Sequence, residues 1–145
     1  MNENAVDAKL TSARVARLAT RDLKGQPHVV PVCYAYDGRS FYSPVDRKPK
    51  RVSAEKLARV RNIRANPDVA LLVDHYDEDW DKLWYILVRG RAEILLAGEE
   101  QMNALRQLRK KYPQYSSRQL LPEEAPLIRI SPVEIISWKQ FSEAP

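Results

Sequence analysis

The dipeptide Asp37-Gly38 separates two stretches rich in valine, tyrosine and phenylalanine, and it constrains the fold more than any other feature of the chain. Asp-Gly flanked by strand-forming residues is among the strongest short-range hairpin signals. The run before it, His28 to Tyr36, reads as a strand, and Ser40 to Ser43 reads as its partner. A further strand, Arg14 to Thr20, precedes them, joined by Asp22-Leu23-Lys24-Gly25, a turn whose glycine is free to take positive φ. Three meandering strands thus open the chain, behind a short helix from Ala5 to Ala13.

Ser53 is placed to cap a helix that ends near Asn66, where Pro67 forbids continuation. Leu57, Val60 and Ile63 recur every three residues as its packing face, and Arg59, Arg61 and Arg64 spread over the remainder. Val69 to Asp74 is a continuous apolar strand, and Leu83 to Leu96 is a longer one with a bend or bulge expected at Gly90. Glu99 to Tyr112 reads as a second helix, acidic where it opens and basic where it closes, with Met102, Leu105 and Leu108 as the buried stripe. A polar loop leads to strands at Leu127 to Ile130 and Val133 to Phe141, with Pro132 between them. Strands that arrive in hairpins rather than in βαβ alternation predict an antiparallel barrel or α+β domain of six or seven strands. At 145 residues, the chain is expected to form one domain, 1–145.

The residues exclude several chemistries. With four glycines and neither G-x-G-x-x-G nor G-x-x-x-x-G-K-[ST], a Rossmann or P-loop phosphate cradle has no support. No G-x-S-x-G elbow is present. Two histidines, His28 and His75, and one cysteine, Cys33, give a dedicated zinc or haem site little to work with, and no metal is expected. Cys33 rules out an internal disulfide, suits a reducing cytoplasm, and lies in an apolar run where buried packing is the expected role. The N-terminus lacks the order of a signal peptide, and no run approaches a membrane span. Any redox chemistry would fall to a borrowed cofactor.

Charge points to where such a cofactor would sit. Arg47 to Arg64 holds eight Lys or Arg against one acid, Glu55: a local +7 within a net +5, leaving −2 elsewhere. A cationic loop there runs straight into a helix start, so Lys48, Lys50, Arg51 and the first helical N–H groups would converge on one phosphate. Pro44 and Pro49 stiffen the loop. Pro31 cannot donate to a ladder, which leaves backbone at Val30 to Val32 for the polar edge of a flat heterocycle. On composition alone, a solvated basic helix face with ordinary turn prolines stands ahead of the phosphate site. An acidic stretch, Asp74 to Asp81, opposes the patch and reads as a solvated loop.

Three passages resemble the pyridoxamine-phosphate-oxidase-like family of flavin and deazaflavin proteins, and in particular its subgroup of probable F420-dependent enzymes. They are Ala13 to Thr20 with Gly25 to Val32, then Tyr42-Ser43 through Arg47-Lys48-Pro49-Lys50 to Asn66-Pro67, and then Leu72 to Trp80 with Leu83-Trp84. The stretch after Gly98 matches only in outline.

The resemblance implies a six-stranded antiparallel split β-barrel with two or three helices. It also implies a homodimer carrying two cofactor sites at the subunit interface. Lys48 matches the lysine that meets the cofactor phosphate, with Arg47, Lys50 and Arg51 beside it. Ser43, Val45 and Asp46 fall on the strand end lining the site, and Val30, Pro31 and Val32 on the strand bordering the ring system. Trp80 and Trp84 would form a wall supplied by the other subunit or lie in the dimer core. The C-terminal arginine and histidine of true pyridoxamine-phosphate oxidases are not found after Trp138, which argues against vitamin-phosphate oxidation.

The expected function is hydride transfer between a bound cofactor and a small organic substrate. F420 is preferred as that cofactor because one phosphate does not need eight cations, and FMN is the alternative. No protein acid or base is assigned; Tyr34, Tyr42 and Asp46 are candidates by position. A flavin, deazaflavin or haem carrier without turnover stays open. So does a nucleic-acid binder, although Arg59 to Arg64 lacks the interleaved aromatics such binding uses.

Overall fold

The computed structural model describes residues 1–45 and 57–139. Helix α1 (Glu3–Ser12) starts two residues earlier than expected because the Asn2 side chain accepts a hydrogen bond from Ala5 N at 2.8 Å, capping it. β1 (Ala16–Arg21) pairs antiparallel with β2 (Pro27–Val32). The Asp22 carboxylate shapes their turn by accepting from the backbone N–H groups of Lys24 and Gln26, both at 2.9 Å, while Gly25 takes φ +81°.

The expected His28–Tyr36 strand is divided into β2 and β3 (Ala35–Tyr36). The break has a physical cause at Tyr34, whose backbone groups leave the ladder. Tyr34 N donates to the Tyr112 hydroxyl at 3.3 Å, and Tyr34 O accepts from Lys111 Nζ at 3.0 Å. The hairpin to β4 (Phe41–Pro44) is wider than a two-residue turn, with the Asp37 carboxylate accepting from Arg39 N and Ser40 N.

Helix α2 (Ala58–Ala65) leads to β5 (Asp68–His75), a 3₁₀ turn at Trp80–Lys82, and β6 (Trp84–Leu95). Ser53, the expected cap of α2, lies outside the described residues. Helix α3 (Glu99–Lys111) buries Gln101, Ala104, Leu105 and Leu108, whereas Met102 is only partly covered. The polar loop after it contains a short helix, α4 (Gln114–Ser117).

The two strands expected at the C-terminal end are one, β7 (Leu127–Lys139). Gly90 pairs with Pro132 and Arg89 with Glu134, so Val133 is an extra residue in a bulge that absorbs the proline without ending the strand. Gly90 is required there: a Cβ would sit 2.6 Å from the Ser131 carbonyl oxygen.

The seven strands form one antiparallel sheet in the order β2-β1-β5-β6-β7-β4-β3. Its two edge strands, β2 and β3, are consecutive in the chain with only Cys33 and Tyr34 between them. Three residue steps span about 10 Å at most. The sheet must therefore curl until its edges approach, which makes it a split barrel, mainly β with flanking helices. Pro31 is tolerated because β2 is an edge strand. Inside the curl, Leu18, Leu71, Ile86, Val88 and Ile130 form one core with α1 and Ile63, and a second core packs α3 and α4 against Ala35, Tyr42 and Leu127.

Candidate functional site

Where the curled edges approach, a cleft of about 100 Å³ opens between the end of β2, the end of β4, α2 and α4. Pro31, Val32 and Cys33 line one side, Ser43 and Pro44 another, and Arg59 and Tyr115 complete it. Ser43 Oγ donates to the Cys33 carbonyl at 2.9 Å, fixing the two strand ends. Val45, buried beside the cleft, donates its N–H to Pro126 O at 2.9 Å. Val30 turns its side chain toward the core.

Of the residues expected at the site, the structure thus gathers Pro31, Val32 and Ser43, with Val45 alongside. Asp46, Arg47, Lys48, Lys50 and Arg51 lie outside the described residues. Trp80 and Trp84 do not line this cleft within the protomer. Trp80 is 62 % exposed on its 3₁₀ turn, and Trp84 packs between Lys9, whose Nζ sits 4.9 Å from the ring centroid, and a stacked His75.

Sequence reasoning placed Arg59 on the solvated part of α2, and the structure corrects this: Arg59 is only 9 % exposed. The face that α2 turns inward is broader than the Leu57-Val60-Ile63 stripe and includes Arg59 and Asn62, three residues apart. Asn62 Nδ2 donates to Thr20 Oγ1 at 3.0 Å, so this side of the helix meets the sheet through a polar layer. A guanidinium stays charged at every relevant pH, and burying it is costly unless negative charge or acceptors compensate. The sequence signal was the Arg59/Asn62 spacing, concealed by the wider run of arginines.

Behind Cys33 stands an aromatic–cation cluster. Lys111 Nζ lies 4.1 Å from the Tyr34 ring centroid, and the Arg14 guanidinium 4.6 Å from that of Tyr112. Burial, then the charge of Arg14, lowers the Lys111 pKa to about 8. The two tyrosines considered as acids are engaged elsewhere. Tyr34 donates its hydroxyl proton to the Leu10 carbonyl, and Tyr42 donates to Glu100 at 2.7 Å. Burial raises the pKa of both, helped at Tyr42 by the Glu100 bond. Neither lines the cleft. Among the described residues, no three His, Cys, Asp or Glu are grouped to hold a metal ion, and no helix is long and apolar enough to cross a membrane.

A curled antiparallel sheet whose edges approach beside the buried Arg59 defines a split-barrel protein with a cleft at its seam. The family model for pyridoxamine 5'-phosphate oxidase matches residues 3–139, and the chain belongs to that flavin-binding family. No curated protein matches it. Among solved structures, an FAD-binding protein from Mesorhizobium loti is 24 % identical, with 94 % of this chain and 92 % of that one covered and a TM-score of 0.73. HutZ, described as the heme storage protein of Vibrio cholerae, is 13 % identical, covering 94 % and 93 % at a TM-score of 0.73. An F420 reductase is 23 % identical, covering 90 % and 94 % at 0.64. At these identities the likeness is one of fold.

Proposed function

We propose that this protein is a homodimeric oxidoreductase that seats a phosphate-bearing flavin or deazaflavin at the β2–β4–α2 cleft and transfers hydride between it and a small organic substrate. The observation that carries the reading is the cleft itself, where the end of β2, the end of β4 and the buried Arg59 of α2 meet at the seam of the barrel. Arg59 would hold the phosphate, joined by Lys48 with Arg47, Lys50 and Arg51, while Ser43, whose hydroxyl proton goes to the Cys33 carbonyl, fixes the strand ends beside it. The backbone from Val30 to Val32, which lacks an N–H at Pro31, would border the ring. When bound, the ring supplies the hydride chemistry, and the protein supplies binding and orientation. With Tyr34 and Tyr42 both committed to structural hydrogen bonds, no side chain is assigned as acid or base.

F420 is the preferred cofactor and FMN the alternative. The +7 stretch from Arg47 to Arg64 suits a cofactor whose negative charge extends beyond one phosphate. That an F420 reductase and an FAD-binding protein share the fold is consistent with either. The dimer reading rests on the outer face of β5, β6 and β7, where Tyr85 stacks on Trp138 at 5.7 Å and Leu72, Leu87 and Ile136 lie alongside, an apolar patch of the kind association covers.

The test is a titration of purified protein with FMN, with oxidised and reduced F420, and with haem, read by visible absorbance. Reduced cofactor is then mixed with a panel of small electron acceptors. F420 should bind most tightly, and its reduced form should be oxidised faster on the protein than free. Binding without accelerated oxidation would make the protein a carrier. A haem spectrum with no flavin binding would overturn the cofactor assignment.

A further inference from the structure

The outer sheet face has two unlike ends. At one end, the small residues Ala19, Ala70 and Gly90 floor a groove of about 590 Å³, walled by Val133, which the bulge leaves 73 % exposed. Arg21, Arg89 and Arg91 rim it, and two acids face them, Asp68 in the lining and Glu134 beside Arg89. Arg21 faces Asp68 at 3.5 Å and Arg89 faces Glu134 at 3.0 Å, whereas Arg91 has no ion-pair partner among the described residues.

At the other end of the same strands, β5 runs into an acidic turn with Asp77, Glu78, Asp79 and Asp81. This turn is built. Asp77 Oδ1 accepts from Asp79 N at 2.8 Å, and Asp79 Oδ1 from Asp81 N at 3.1 Å, so the backbone presents Tyr76 and Trp80 outward. Six residues of β5 separate the ends, about 20 Å at ~3.3 Å per residue. Between them lies the apolar patch of Leu72, Leu87, Tyr85, Ile136 and Trp138.

We propose that the acidic turn of one copy docks into the arginine groove of a second copy, Trp80 resting on the small-residue floor and Glu78 and Asp81 meeting Arg89 and Arg91. The inference rests on the dimer reading above and adds its polarity. A two-fold axis can bring this face onto itself in two ways. An axis along the strands sets acid against acid and arginine against arginine. An axis across the strands sets each acidic turn against the partner's arginines, twice per dimer, with the apolar patches meeting in the middle. Charge complementarity selects the second. It also accounts for an exposed tryptophan in an acidic turn.

The experiment is a charge exchange on the full chain, read by sedimentation velocity. One variant carries Glu78→Lys and Asp81→Lys, which leaves both Asx hydrogen bonds of the turn intact. The other carries Arg89→Glu and Arg91→Glu. Each alone should dimerise at least about tenfold more weakly than the parent, whose own dimer should weaken with salt. Mixed one to one, they should form a heterodimer of near-parental strength, because both contacts are then complementary again. A parent dimer that neither variant disturbs would overturn the docking and leave the dimer standing. Two weakened variants that fail to restore each other would overturn it as well. A monomeric parent would remove the dimer reading itself. Should circular dichroism show the double arginine variant unfolded, a double-mutant cycle of Asp81→Asn with Arg91→Gln takes its place. Additive losses in that cycle would overturn the pairing.

Discussion

Ser43 donates its hydroxyl proton to the carbonyl oxygen of Cys33 across 2.9 Å, joining the end of β4 to the residue just past β2. Those strands lie near opposite ends of the sheet order, so this contact is made possible only by the curl of the barrel. It ties the seam at the point where the cleft opens. Ser43→Ala should therefore act on both stability and binding. Loss of one buried hydrogen bond costs about 0.5–1.5 kcal/mol, and the orphaned Cys33 carbonyl places the change toward the upper end. Urea denaturation should register that loss with an unchanged m-value, and cofactor titration should register weaker binding.

Arg59→Ala should weaken cofactor binding on the order of 10- to 150-fold, the equivalent of the ~1.5–3 kcal/mol typical of a charge-assisted hydrogen bond. Arg61→Ala, two positions along the same helix but exposed, should change it little. Lys48→Ala is expected to resemble Arg59→Ala, and Lys56→Ala to resemble Arg61→Ala. Fluorescence quenching at two salt concentrations distinguishes the cases, because diffuse attraction predicts similar small losses that fade with salt. Equal, salt-sensitive losses at Arg59 and Arg61 would remove the phosphate seat from the cleft.

Most of the architecture was legible because it depends on local rules. Hairpin signals and apolar, valine- and tyrosine-rich runs gave antiparallel strands, and Asn66-Pro67 and Glu99 marked helix limits within a residue or two. The misreadings share a different cause, the long-range partner. The His28–Tyr36 run looks like one strand until Lys111 and Tyr112, more than seventy residues away, take the backbone groups of Tyr34. Pro132 looks like a break until Gly90 admits the bulge opposite it. Arg59 looks solvated because nothing in its own helix says that Thr20 and the end of β4 lie against that face. The resemblance singled out Val32 and Ser43 as candidates; that the strand ends carrying them are joined by the Ser43–Cys33 carbonyl bond was not legible.

Gly90→Ala tests that close approach. The added methyl would fall 2.6 Å from the Ser131 carbonyl oxygen, a backbone atom that cannot swing aside. Overpacking of this kind costs about 1–3 kcal/mol. The expected result is a clear fall in melting temperature, with cofactor affinity per folded molecule preserved, since Gly90 lies away from the β2–β4 seam. A variant as stable as the parent would mean that β6 and β7 do not approach so closely.

The pH dependence of stability should carry a signature of Lys111. Its folded-state pKa is lowered to about 8 from an ordinary 10.5, chiefly by burial and then by Arg14. Between those two values the unfolded chain holds a proton that the folded chain has released, so raising the pH through this window favours the folded state. Below about pH 8 both states are protonated and the cost of the half-buried ammonium is fully present. The tyrosines act in the opposite sense but later. Tyr36, pushed up to about 12 by burial and by Asp7, keeps its proton when the unfolded chain loses it near pH 10, so its contribution falls only above that point. Urea midpoints from pH 7.5 to 9.5 should therefore rise for the parent relative to Lys111→Met, which keeps the apolar stem against Tyr34 and lacks the titrating amine. Parallel pH profiles for the two proteins would show that the amine is solvated in the folded state and that its contact with the Tyr34 ring and carbonyl is not maintained.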